Sequence, residues 1–84
     1  MQERTLSDIG MLMMTLVQAL VDHPGEVVVN EIEGTQSTVI EVQVARSDHG
    51  KLIGRKGRTV AAIRELLVDM SGKRRRRFML QILE

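Results

Sequence analysis

The sequence predicts an α+β fold in which a three-stranded mixed sheet is backed by three helices. Three observations predict it. Apolar residues recur at helical spacing before Pro24, two β-branched runs flank a short turn, and a glycine-punctuated helical stretch leads into a last alternating segment.

Thr5 followed by Asp8 has the form of a capping box, and Leu6, Ile9, Met13, Leu16, Val17 and Leu20 then share one helical face. A first helix is expected from Leu6 to Asp22. Pro24 disfavours helix at the residue before it, and Gly25 reinforces the stop. The methionines of this segment suit adaptable core filling.

Glu26 to Glu33 is rich in valine and isoleucine, while Thr38 to Ala45 alternates Ile40, Val42 and Val44 with Glu41 and Gln43. Two strands follow from this. Glu33 to Ser37 carries turn residues, so an antiparallel hairpin is the economical connection.

Ser47 or Asp48 can cap a brief helix that reaches Ile53. Beyond the glycines, Val60, Ile63, Leu67 and Met70 mark one face of a longer helix starting near Arg58 or Thr59, with Gly72 suited to its C-terminal cap. Phe78, Leu80 and Ile82 then alternate in a final strand. A crossover through two helices pairs that strand parallel to its neighbour.

Length and composition set bounds. The 84 residues suit one domain covering 1–84, with a small core and modest stability. The chain has no cysteine, which rules out disulfides, thiolate chemistry and cysteine zinc sites and suits a reducing, cytoplasmic setting. The apolar run from Met11 to Val21 is too short to span a bilayer, and no signal peptide is expected.

Net charge is only +1, but it is segregated. Residues 1–45 hold one basic residue against seven acidic ones, a net of −6. Residues 46–77 hold eleven basic residues against three acidic ones, a net of +8, which is the footprint of a polyanion-binding surface.

Within that basic half, Gly50-Lys51-Leu52-Ile53-Gly54-Arg55-Lys56-Gly57-Arg58 places a cationic G-x-x-G loop between two helical segments. Glycine opens backbone conformations closed to other residues and lets a phosphate approach the main chain. The helix that follows adds unpaired N–H groups and the positive end of its dipole. A G-x-x-G alone also describes an ordinary turn, so its setting decides.

In that setting, Leu52-Ile53-Gly54-Arg55-Lys56-Gly57 resembles the hydrophobic-Ile-Gly-x-x-Gly element of KH domains, and the order α-β-β-α-α-β resembles their type II arrangement. In size, in Ala19-Leu20-Val21-Asp22-His23-Pro24 and in Gln81-Ile82-Leu83-Glu84, the chain is similar to the small bacterial single-KH proteins of the KhpA family. The resemblance implies a single-stranded RNA partner, its backbone held at Lys51, Ile53, Gly54, Arg55, Lys56, Gly57 and Arg58 and about four nucleotides lying between helix and sheet. It further implies a homodimer or pairing with a larger KH-containing protein, and a role in post-transcriptional control or RNA chaperoning linked to cell growth, division and cell shape. No cofactor, metal, small-molecule substrate or membrane is implied.

Ile53, Val60 and Ile63 suit an aliphatic floor for RNA, although burial habits favour an ordinary core for each, and Val42 and Val44 share the ambiguity. Phe78 is the only aromatic residue, so a ladder of stacked rings is excluded and binding is expected to be weak and sequence-tolerant. Lys73, Arg74, Arg75, Arg76 and Arg77 form a second basic cluster about 20 Å from the loop at 1.5 Å per helical residue. They serve either as a secondary RNA or partner contact, or as charges that offset the helix dipole, Glu65 and Asp69 and keep a strand start solvated.

Three other function classes compete. An enzyme is disfavoured because a P-loop counted from Gly50 needs glycine where Arg55 stands, and because His23 and His49 sit in turn and capping segments with no nucleophile spacing. A helix-turn-helix reader of duplex DNA is disfavoured because the second helix turns Arg58, Arg64, Glu65 and Asp69 outward with few amide side chains. A protein-interaction module with an acidic partner stays open.

Overall fold

A computed structural model describes residues 6–84. Its elements run α1 (Asp8–Leu20), β1 (Val28–Glu33), β2 (Ser37–Gln43), α2 (His49–Ile53), α3 (Arg58–Arg74) and β3 (Arg77–Ile82). Short 3₁₀ turns at Pro24–Glu26, Arg46–Asp48 and Arg55–Gly57 join them. The expected α-β-β-α-α-β order and mixed sheet are both present.

Strand order is β1-β2-β3, with β1 antiparallel to β2 and β2 parallel to β3. Alternation decides which face is covered. Val29, Ile40, Val42, Phe78 and Leu80 are buried with Ile9, Met13 and Val17 of α1 and Val60, Ile63 and Leu67 of α3. Met13, Ile40, Leu52 and Leu67 are among the largest fully buried side chains, and truncating such a residue to alanine costs about 2–5 kcal/mol. In a domain this small that is a large share of the total.

The element ends differ from the sequence reading, each for a local reason. Thr5 lies outside the described residues; the N-cap of α1 is Ser7, whose Oγ accepts from the Gly10 N–H at 3.2 Å. The helix stops at Leu20 rather than Asp22 because Val21 turns extended to bury its side chain, and the N–H groups of Asp22 and His23 go to the Asp48 carboxylate. β1 starts at Val28, not Glu26, because the Glu26 and Val27 N–H groups close the 3₁₀ turn onto His23 and Pro24. β2 gives out at Gln43, where Ala45 becomes the cap of the next turn.

Gly72 is not the C-cap of α3. The helix continues to Arg74, and Arg75 takes the left-handed conformation (φ 55°) with its N–H returning to Ser71 O. Ser71 explains the later stop: its Oγ donates to Leu67 O at 2.7 Å and accepts from the Phe78 N–H at 2.9 Å, joining the helix end to the first turn of β3.

Candidate nucleic-acid interface

Leu52, fully buried, anchors the five-residue α2, and the chain then breaks at Gly54 (φ 81°, ψ 169°). Lys56 (φ 56°) and Gly57 (φ 74°) are also left-handed, and the Gly57 N–H donates to Gly54 O at 3.0 Å to close the loop. Gly54 is doubly required, since a Cβ there would also lie 2.8 Å from the Thr59 backbone nitrogen. Gly57 has open space around it and is required by its φ alone.

Arg55, Lys56 and Arg58 are exposed, and Ile53 is half-buried beside them. No side chain caps the N-terminus of the 17-residue α3, whose first N–H, that of Arg58, closes onto Arg55 O, so the positive end of its dipole lies directly behind the loop. Lys51 is exposed but paired with Asp22 at 3.1 Å. That contact ties α2 to the end of α1 and shares the Lys51 charge.

Asp48 does the same from inside. Only 1% exposed, its carboxylate accepts from the Asp22 N–H at 3.1 Å, the His23 N–H at 2.9 Å and the His23 ring Nδ1 at 3.1 Å. Burial pushes this carboxyl's pKa up, but the two backbone donors and the His23 ring outweigh it and hold the net value below the ordinary 3.8. Asp48 therefore fastens the segment that follows α1 and makes no side-chain cap bond to its own helix. His49 is not a solvated capping residue either: its Nε2 lies 3.0 Å from Leu83 O, holding the start of α2 to the chain beyond β3.

From the loop, one face of α3 runs through Arg64, Val68 and Ser71 at spacings of four and three residues. Against it lies the free edge of β3, and between them is a groove of about 500 Å³ lined by Arg64, Leu67, Val68, Ser71 and Arg77 to Leu80. The lining is mostly apolar, and Val68 is 66% exposed. Arg64 is its main interior cation, one guanidinium nitrogen lying 3.4 Å from Leu80 O. A larger concavity of about 680 Å³ beside β1 carries Glu31 and Glu33 and no cation among its described residues, so it repels phosphate.

Val60, Ile63, Val42 and Val44 are all buried core, so the aliphatic floor is not made of them. The groove residues Arg64, Val68, Ser71 and Met79 were missed by the sequence reading. The signal was available, since Gly57, Arg64, Val68 and Ser71 share a helical face, but the free edge of β3 opposite them is a tertiary fact.

The second basic cluster divides. Arg74 forms a two-pronged bond with Asp8 at 3.2 and 2.6 Å, which lowers the Asp8 pKa and raises that of Arg74. Arg76 donates to Thr38 Oγ1 at 2.8 Å and to the carbonyls of Gly34, Thr35 and Ser37 at 2.6, 3.3 and 2.9 Å. Lys73, Arg75 and Arg77 are exposed, and Arg77 lines the far end of the groove.

A three-stranded mixed sheet, three helices and a cationic G-x-x-G loop at the head of the helix that walls a helix-strand groove define a type II KH domain. Comparison with known proteins agrees. Residues 11–82 match the family described as KhpA/KhpB, KH domain. The chain is 49% identical over 69 residues to the RNA-binding protein KhpA of Borreliella burgdorferi, covering 82% of this chain and 84% of that protein. It is 46% identical over 74 residues to the RNA-binding protein KhpA of Caldanaerobacter subterraneus subsp. tengcongensis, covering 88% and 99%. The namesake from Chlamydia trachomatis is 44% identical over 69 residues, 82% and 88% of the two chains. No solved structure matches. The chain belongs to the KhpA/KhpB KH-domain family.

Proposed function

We propose that this chain binds single-stranded RNA, with the Gly54–Gly57 loop holding the phosphate backbone and about four nucleotides lying in the α3–β3 groove. One observation carries the reading. Two glycines at positive φ bring exposed Arg55, Lys56 and Arg58 to the uncapped N-terminus of a long helix, so charge, dipole and close backbone access converge on one point. The name that the relatives share, RNA-binding protein, supports it. Ile53 and Lys51 flank the clamp, the first as an apolar shoulder and the second through whatever charge Asp22 leaves it.

Bases in the groove meet Val68, an exposed apolar side chain of its lining, which favours no particular base. The product is weak, sequence-tolerant binding, as befits a general post-transcriptional factor in the cytoplasm. Useful affinity then calls for a second module on the same RNA, so the chain works as a homodimer or beside a larger KH protein. In support, Ile32, Val39 and Met79 stand in register across the sheet face turned from the helices, with Ile32 and Met79 exposed. Light scattering that returned only the monomer mass, with and without the larger protein, would remove this part.

The clamp is tested by replacing Arg55 and Lys56 together with Asp. Circular dichroism should report an intact fold, because both side chains are exposed. Affinity for a single-stranded RNA should fall at least tenfold, since two attractions become repulsions. Unchanged affinity in the folded variant overturns the reading, and preference for duplex DNA over RNA replaces it with groove binding.

A further inference from the structure

Arg76 makes four side-chain hydrogen bonds from one guanidinium, all of them to the β1–β2 hairpin. A planar fork of five N–H donors suits several fixed acceptors as a lysine ammonium does not. One acceptor, Thr38 Oγ1, belongs to a side chain only 2% exposed. The next residue repeats the link through the main chain, the Arg77 N–H donating to Gln36 O at 3.1 Å.

The hairpin tip and the α3–β3 turn are thereby fastened into one body. Apart from the Arg74 link to Asp8 at the end of α3, the other bonds of that turn are local. Arg75 sits in the left-handed region, and the Arg75 and Arg76 N–H groups share the Ser71 carbonyl, the latter at 3.3 Å. Arg75 and Arg77, on either side of Arg76, are exposed, and Arg77 lines the groove end remote from the glycine loop.

We infer that Arg76 is a positioning residue for nucleic acid: by latching the α3–β3 turn to the hairpin it holds Arg75 and Arg77 as a second phosphate contact where the strand leaves the groove. The inference rests on the RNA reading above and divides the Lys73 to Arg77 run by task. Arg74 and Arg76 bind the protein to itself, and Arg75 and Arg77 meet the ligand. About four nucleotides fill the groove, so a long RNA runs on from its exit to meet Arg75 and Arg77, whereas a tetranucleotide ends before that exit.

The test compares a tetranucleotide with a decanucleotide of the same composition, titrated into the wild type, Arg76→Ala, Arg76→Lys, the double variant Arg75→Ala/Arg77→Ala, and the triple variant. The wild type should show a steeper salt slope for the decamer than for the tetramer. The double variant should lose about fivefold in decamer affinity, with its decamer slope shallower by about 1.4, as two lost contacts at 0.7 each require. Arg76→Ala and Arg76→Lys should reproduce that loss while leaving the tetramer within twofold, and the triple variant should add nothing to the double. Equal losses for both RNAs, or a further decamer loss in the triple variant, would make Arg76 merely structural and overturn the inference. If Arg76→Ala does not fold, a double variant that binds the decamer as the wild type does still overturns it. Failure of the wild type to bind either RNA instead overturns the RNA reading itself.

Discussion

Asp48 shows how much one buried carboxylate can hold. Its three donors all belong to Asp22 and His23, in the connection just after α1, while Asp48 itself begins the path into α2 and the glycine loop. The folded carboxyl titrates below 3.8, the ordinary value expected in the unfolded chain, so in that window the unfolded chain binds more protons and stability rises with pH. The contribution is thus complete above the unfolded pKa and is lost as pH falls through the folded one. Asp8, held down by its bond to Arg74, adds a loss of the same sign. Asp48→Asn should isolate the first: the amide keeps one acceptor but turns an NH₂ group toward N–H donors. Melting temperatures measured from pH 7 to pH 3 should place the variant below the wild type at pH 7, with the gap closing in acid. A gap that is constant with pH would show that the charge of Asp48 is irrelevant. None of this was legible in the sequence, where Asp48 reads as the cap of its own helix, because its partners lie 25 and 26 residues away.

The elements themselves were legible wherever burial imposes a period. α1 and α3 repeat their apolar residues at helical spacing, β2 alternates strictly, and the loop between α2 and α3 is marked by glycines that the backbone requires. Element ends were less legible, because they are set by side-chain bonds across the fold. Gly72 is the clearest case. It looks like a helix stop, yet it lies inside α3, exposed, with open space where a Cβ would be added. The true stop is Arg75, whose carbonyl partner is Ser71, a residue fixed in turn by Leu67 and Phe78. Glycine within a helix costs about 0.5–1 kcal/mol relative to alanine, chiefly through the freedom it gives the unfolded chain. Gly72→Ala should therefore stabilise the protein by that amount and raise its melting temperature by about 2–8 °C in a domain of this size. A glycine serving as a left-handed cap would give the opposite sign, so a loss of stability would contradict the helix end described above.

Across the whole molecule, the charge asymmetry of the sequence is partly cancelled by folding. Asp8 of the acidic half takes up Arg74, Asp22 takes up Lys51, and Arg76 is spent on carbonyls of the hairpin. The net of +8 over residues 46–77 therefore overstates what a polyanion meets. What stays free beside the dipole of α3 is Arg55, Lys56 and Arg58, on the scale of three phosphates. The two pictures differ in a measurable quantity. Three phosphate contacts on a single strand give a salt slope of about −2, and tetranucleotide affinity should drop about twentyfold between 50 and 200 mM salt. Engagement of the full excess would give a slope near −5.6 and a loss of roughly two thousandfold over the same range. Fluorescence anisotropy across that range separates them when it is run on a labelled tetranucleotide, which has phosphates enough for the clamp alone, and on a labelled decanucleotide, which has enough for the full excess. A slope near −2 fits a local clamp whose remaining affinity comes from apolar contact in the groove, and a slope near zero would remove the electrostatic basis of the clamp. A decanucleotide slope steeper than −4 would mean that Arg74 and Lys51 let go of their carboxylates, or Arg76 of its carbonyls, to meet RNA, and that the fold reorganises its charges on binding.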